Sequence, residues 1–153
     1  MSKKEKEESL LENSSKNIYE RDENGRTVLH YAVDAKTVRL LIEKGANVNA
    51  ADVEGYTALH LAVTEKYLET VRELIKSGGN VNAKEYENKC TPLHFACMVG
   101  KVEIVKELVE AGAEIEQEDK FGMIAMDYAK NSKEITEVLK KETDRIEKLF
   151  MRG

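Results

Sequence analysis

Tryptophan is absent, proline occurs once at Pro92, cysteine occurs twice at Cys90 and Cys97, and aromatic residues make up only 6% of the 153 residues. Two cysteines make no disulfide framework, which points to a reducing, cytoplasmic compartment. Export by a non-classical route would leave no mark in such a sequence. With 41% hydrophobic and 35% charged residues and so little proline, the composition is not that of a disordered polymer. No run of 18 or more apolar residues is present, so no membrane-spanning helix is expected. The opening MSKKEKEES carries charge without an apolar stretch and lacks the form of a secretory signal. An excess of cations is also missing. Lys and Arg number 24 against 29 Asp and Glu, a net charge of −5 whose field repels nucleic-acid phosphates. No glycine-rich phosphate loop of the Walker or dinucleotide type occurs.

What is present is internal repetition. The stretch DVEGYTALHLAVTEKYLETVRELIKSGGNVNA, from Asp52 to Ala83, is preceded by DENGRTVLHYAVDAKTVRLLIEKGANVNA from Asp22 to Ala50. It is followed by CTPLHFACMVGKVEIVKELVEAGAEIE from Cys90 to Glu116, and by an eroded copy, DKFGMIAMDYAK then KEITEVLKK, from Asp119. Asp22, Asp52 and Asp119 stand three residues before Gly25, Gly55 and Gly122, the composition of a tight turn. Thr27, Thr57 and Thr91 follow, placed to cap a short helix through the hydroxyl. Leu29, Leu59 and Leu93 recur with Ala32, Ala62 and Ala96 on one face of that helix. Val102, Val105, Leu108 and Val109 then mark a second, half-buried helix, as do Leu68, Val71, Leu74 and Ile75. Gly45, Gly78 and Gly112 stop it with a left-handed residue. Each unit is therefore turn, helix, helix, and its apolar face is buried by stacking on a neighbour.

These residues carry a resemblance to the ankyrin repeat, with its Thr-Pro-Leu-His core and period near 33 residues. The fold it implies is an all-α solenoid of stacked helix-turn-helix units with β-hairpin or turn fingers. The organisation is an N-terminal capping half-repeat (1–21), three repeats (22–51, 52–84, 85–118), a degenerate C-terminal capping repeat (119–142) and a helical extension (143–153). The half-repeat is anchored by Leu10 and Leu11, on a helix expected from Lys3 to Glu12.

Departures from the repeat carry their own expectations. The first unit is three residues shorter, so its inner helix ends early and the connection runs through Asp34, Ala35 and Lys36. The third finger is one residue longer, and Lys89 replaces the glycine. Asn88 is the better candidate for its positive φ, since Asn tolerates that region more readily than Lys. The last unit connects its helices through Lys130, Asn131 and Ser132, and its second helix runs on along Ile135, Val138, Leu139, Ile146, Leu149 and Phe150. Beyond Glu142 that helix either packs over the end of the stack, the favoured expectation, or presents an amphipathic contact surface.

Chemistry finds little footing. His30, His60 and His94 share one repeat position, about 10 Å apart in a helix stack. Zinc ligands must converge within about 2.1 Å of one ion. The family's structural use of this histidine, tying the Thr hydroxyl to backbone groups of adjoining units, is the reading adopted. Cys97 reads as a small core residue, whereas Cys90, in a finger, is expected to be accessible. No cofactor, metal or enzymatic activity is expected.

The resemblance implies partner binding by another protein in the concave face of finger tips and inner helices. The matching positions include Arg26, Glu54, Tyr56, Glu65, Tyr86, Lys89, Met98, Val99, Phe121 and Met123. Tyr56, Tyr86, Phe121, Met98, Val99 and Met123 are more apolar than a solvated turn needs, and Glu23, Glu54, Glu65 and Glu87 would suit a partner with a basic patch. The chain is expected to be monomeric, with neither nucleic acid nor membrane as a partner. The alternative is an assembly protein that oligomerises or docks through its C-terminal helix. The resemblance also puts Asn49 and Asn82 where asparaginyl hydroxylation occurs in animal repeats; a structural bridge at the base of the finger is the preferred reading.

Overall fold

The order of short and long helices follows directly from where Thr caps and Gly stops fall in the sequence. In a computed structural model, which describes residues 18–129 and 131–153 together with Ser2 and Glu5, all regular structure among the described residues is helical. A 3-10 turn (Val28–Tyr31) precedes α1 (Ala35–Glu43), α2 (Ala58–Thr64), α3 (Leu68–Lys76), α4 (Pro92–Val99), α5 (Val102–Glu110), α6 (Ala125–Tyr128) and α7 (Lys133–Met151). The N-terminal capping helix expected from Lys3 to Glu12 lies outside the described residues apart from Glu5, and so does Lys130.

The helices form two layers. The 3-10 turn, α2, α4 and α6 pack in succession as the inner row, and α1, α3, α5 and α7 as the outer row, each inner helix also packing on the outer helix that follows it from α2 onward. Between the layers runs one core. Leu29, Leu59, Leu93, Ala62 and Ala96 come from the inner row, and Val38, Leu41, Val71, Leu74, Ile104, Leu108, Ile135 and Leu139 from the outer, all essentially without solvent contact. The small alanines let the inner helices approach closely, as their spacing predicts. Ile104, outside the stripe read from the sequence, is fully buried as well.

The stop signals act as expected. After α1, the Gly45 N–H donates to Ile42 O and the Ala46 N–H to Leu41 O, both at 2.9 Å, with Gly45 at φ +94°. This is the paired Schellman arrangement that satisfies the last carbonyls of a helix. Gly78 and Gly112 repeat it after α3 and α5.

Two expectations change here. The inner helix of the first unit does end early, but Ala35 and Lys36 belong to α1 rather than to the connection. Asp34 caps that helix by accepting the Thr37 N–H at 2.7 Å, which starts it two residues sooner. The C-terminal extension does not pack over the end of the stack. Buried positions on α7 end at Leu139, and Leu149, Phe150 and Met151 are exposed. Ser132 caps the helix and nothing in its sequence stops it before Arg152, so it runs on to Met151 beyond its last buried residue.

Candidate functional site

Each finger is built around one acid. Asp22 Oδ1 accepts the N–H groups of Asn24 and Arg26, Asp52 Oδ1 those of Glu54 and Tyr56, and Asp119 Oδ1 those of Phe121 and Met123, at 2.8–3.0 Å. The carboxylate thus replaces solvent for the inward amides of a tight turn. Its second oxygen is also used. Tyr31 Oη donates to Asp22, Tyr128 Oη donates to Asp119 at 2.5 Å, and Arg26 Nε meets Asp52 at 3.0 Å. Tyr31 and Tyr128 share a repeat position held by Leu61 in the second unit, where Arg26 of the preceding finger supplies the missing donor. The Asp119 carboxyl feels burial, which raises its pKa, but the Tyr128 hydroxyl and the two amides hold it below the ordinary range. The Tyr128 hydroxyl, bonded to that carboxylate and partly desolvated, is pushed up to about 12.

The third finger uses Glu85 for this purpose, and sequence reasoning missed it. Its buried carboxylate accepts the N–H groups of Glu87, Asn88 and Cys90 at 2.8–2.9 Å, while its own N–H donates to Cys90 O. The extra methylene of Glu over Asp spans the extra residue in the loop. The positive φ then falls on Lys89 (+61°), not on Asn88 as expected, because Asn88 is fixed at both ends: its N–H by Glu85, its carbonyl by the Lys120 N–H at 2.8 Å.

The fingers are bonded to one another. The Val53 N–H donates to Asn24 O at 3.0 Å and the Tyr86 N–H to Glu54 O at 2.8 Å, so with Lys120 and Asn88 all four fingers are joined in series. The approach is close. A Cβ on Gly55, at φ +88°, would stand 2.6 Å from the Tyr86 ring, and one on Gly25 would stand 2.9 Å from Val53.

Behind the fingers, each Thr N–H (27, 57 and 91) donates to Nδ1 of His30, His60 or His94 at 3.1 Å. With Nδ1 accepting, the ring proton sits on Nε2. His30 Nε2 then donates to Tyr56 O and His94 Nε2 to Met123 O, both at 3.0 Å, tying neighbouring units as the sequence implied. His60 departs from this: among the described residues its Nε2 makes no close, well-aligned hydrogen bond, and the backbone groups acting on its ring are those of Cys90, in the lengthened finger, and Ala83. Burial lowers the pKa of His60 to about 4 and lowers that of His30.

The ten candidate contact residues divide into two groups. Tyr86, Phe121, Met98, Glu54, Glu65 and Lys89 are exposed, and Val53, a fingertip outside the ten, joins them; Val53, Tyr86 and Phe121 are 65%, 56% and 67% exposed. Arg26, Tyr56, Val99 and Met123 are half-buried. Arg26 is engaged with Asp52, and the Tyr56 ring packs edge-on against His60 at 5.8 Å and beside Phe95 at 5.9 Å. Cys90 is not accessible as expected. It is covered with its sulfur 4.0 Å from Asp119 of the next finger, and burial first, then nearby carboxylates, push its thiol up to about 11. Cys97 is a core residue with its thiol at about 12 through burial alone.

Asn49 and Asn82 bridge units at the finger bases. Asn49 donates to Gly78 O at 3.2 Å and accepts the Asn80 N–H at 2.7 Å; Asn82 does the same with Gly112 O and the Glu114 N–H. Among the described residues no group of three or more His, Cys, Asp or Glu side chains is placed to hold a metal, and no helix is long and apolar enough to cross a membrane.

Among curated proteins no relative matches the chain. A family model described as "Ankyrin repeats (3 copies)" matches residues 3–85 and 80–148. Repeats of that family are generally protein–protein interaction modules and generally non-catalytic. With that match spanning nearly the whole sequence, and helix pairs stacked behind bonded fingers, the chain belongs to the ankyrin-repeat family.

Proposed function

We propose that the chain is a non-catalytic, monomeric binding module that takes another protein on the concave face formed by its finger tips and inner helices. The observation that carries this reading is the row of large apolar side chains, Val53, Tyr86 and Phe121, exposed on fingers whose backbones are bonded to one another. Aromatic and Met side chains are enriched at the cores of contact surfaces, and Met98 lies at the end of an inner helix behind this row. Because the fingers are fixed by carboxylates and by each other, ordering them on association loses little entropy. Glu54, Glu65 and Glu87 are exposed beside the row and suit a partner bearing Lys or Arg. We place the chain in the cytoplasm, where its free, buried thiols stay reduced.

The test is hydrogen exchange on the chain bound to a partner captured from its source extract. Slowed exchange at Val53–Tyr56, Tyr86–Cys90 and Lys120–Met123 is the expected result. Protection confined to the outer helices would remove the concave face as the binding site.

A further inference from the structure

A second surface shares none of its lining residues with the finger tips. Where α7 overruns the end of α5 it forms a cleft of about 940 Å³ with the strand of loop that follows α5. Ile146, Phe150 and Met151 line one wall with Thr143 and Glu147, and Ile115 lies within the other, among Glu114, Glu116, Gln117 and Glu118. The α7 residues are spaced i, i+3, i+4, i+7 and i+8, one continuous helical stripe. Phe150 and Met151 are 82% and 87% exposed, well beyond what the fold requires, since the buried face of α7 ends at Leu139. The volume matches that of ligand clefts, about 300–1,000 Å³.

The charge around it has one sign. Glu114, Glu116, Glu118 and Glu147 surround the apolar floor, no Lys or Arg lines it, and none of the four is in an ion pair among the described residues. From these we infer that the cleft is a docking groove for an amphipathic helix of another polypeptide, one whose apolar stripe is flanked by Lys or Arg. Its apolar side chains lie on Ile146, Phe150 and Met151, and its flanking cations reach the glutamates on either rim. A second copy of the chain fits poorly. At about 100° per residue, Arg145, Lys148 and Arg152 fall on the side of α7 opposite the groove stripe. A symmetric pair would bring two sets of carboxylates together and turn these cations outward.

The groove is separate from the finger row, so its test stands apart from that of the concave face. The probe is a synthetic helical peptide of Leu and Lys, with Leu at i, i+3, i+4 and i+7 and Lys on both flanks, read by fluorescence anisotropy against a Leu and Glu peptide of the same pattern. We expect the Lys peptide to bind, with affinity falling as salt rises, and the Glu peptide to bind at least tenfold more weakly. F150Q with M151Q, at exposed positions that leave the core untouched, should lower the affinity at least tenfold with unchanged circular dichroism. Y86Q with F121Q should leave it within twofold. Failure of the Lys peptide to bind, equal binding of both peptides, or binding indifferent to F150Q with M151Q would overturn the proposal. So would a concentration-dependent doubling of mass that F150Q with M151Q abolishes, which would make a second copy the occupant.

Discussion

At single residues, burial sets the charge of His60 and backbone strain falls on Lys66 and Lys89. His60 is neutral in the fold because its Nδ1 must accept the Thr57 N–H and because burial lowers its pKa from 6.5 to about 4. In that window the unfolded chain binds a proton that the folded chain does not. The stabilisation is therefore fully present above about pH 6.5 and is lost as pH falls toward 4. The full difference corresponds to roughly 3 kcal/mol. Urea unfolding midpoints measured from pH 7 to pH 4 should fall steeply for the wild type and less steeply for His60→Gln; parallel slopes would contradict this. Lys66 and Lys89 hold positive φ of +62° and +61°, a region that disfavours side chains with a Cβ. Lys66→Gly and Lys89→Gly should each raise stability by about 0.5–1 kcal/mol, net of the extra freedom glycine gives the unfolded chain. A fall in thermal midpoint for both would mean the left-handed turns carry no strain.

Which residues the sequence revealed follows from the range of their interactions. Thr57 and Gly45 act on groups within a turn of themselves, and Ala62 is marked by its fixed spacing on one face of a short helix, so their positions in the sequence place them correctly. Glu85 and Lys89 depend on a loop register set jointly by a carboxylate and by the next finger, and nothing local to Asn88 signals that its carbonyl is claimed by Lys120. Cys90 reads as a loop thiol until the fourth finger covers it.

Among the elements, the fingers and α7 make different demands. Glu85 holds three amides of the third finger, and Glu85→Ala leaves them without an acceptor at a cost of about 1–3 kcal/mol. Amide exchange should quicken across Tyr86–Cys90 in that variant while α3 stays protected; unchanged exchange would show that the inter-finger bonds alone hold the loop. On α7, Leu139 is fully buried and Leu139→Ala should cost about 2–5 kcal/mol. Removal of residues 143–153, which carry exposed apolar groups, should change stability by less than about 1 kcal/mol in chemical denaturation. A large loss on truncation would show that the extension supports the stack. The helical period along α7 was legible from Ile135 to Phe150, and the stop of α5 from Gly112, but not that burial along α7 ends at Leu139, because that depends on how the two helices lie side by side in the stack.

For the whole molecule, stacking makes the layers mutually dependent. Arg39 meets Glu73 at 3.0 Å and Arg72 meets Glu107 at 2.6 Å across the outer row, while His30 and His94 tie units behind the fingers. These bonds fix the geometry in which Val53, Tyr86 and Phe121 are displayed; the solvent-accessible Arg72–Glu107 pair adds little stability of its own, whereas Arg39 pairs with a buried Glu73. The repeat made the architecture readable at once, since one pattern recurs wherever a unit must stack. The proposed contact surface is a matter of exposure: Tyr86 and Phe121 are exposed, whereas Tyr56 and Arg26 are partly taken up in holding neighbouring units together. The most direct test is calorimetric affinity for the captured partner, comparing the wild type with Val53→Glu, Tyr86→Glu and Phe121→Glu combined, after circular dichroism shows equal folding. A loss of about 100-fold or more, roughly 2.7 kcal/mol, is the predicted result. Unchanged affinity in the folded triple variant would contradict the assignment of the fingers as the contact surface.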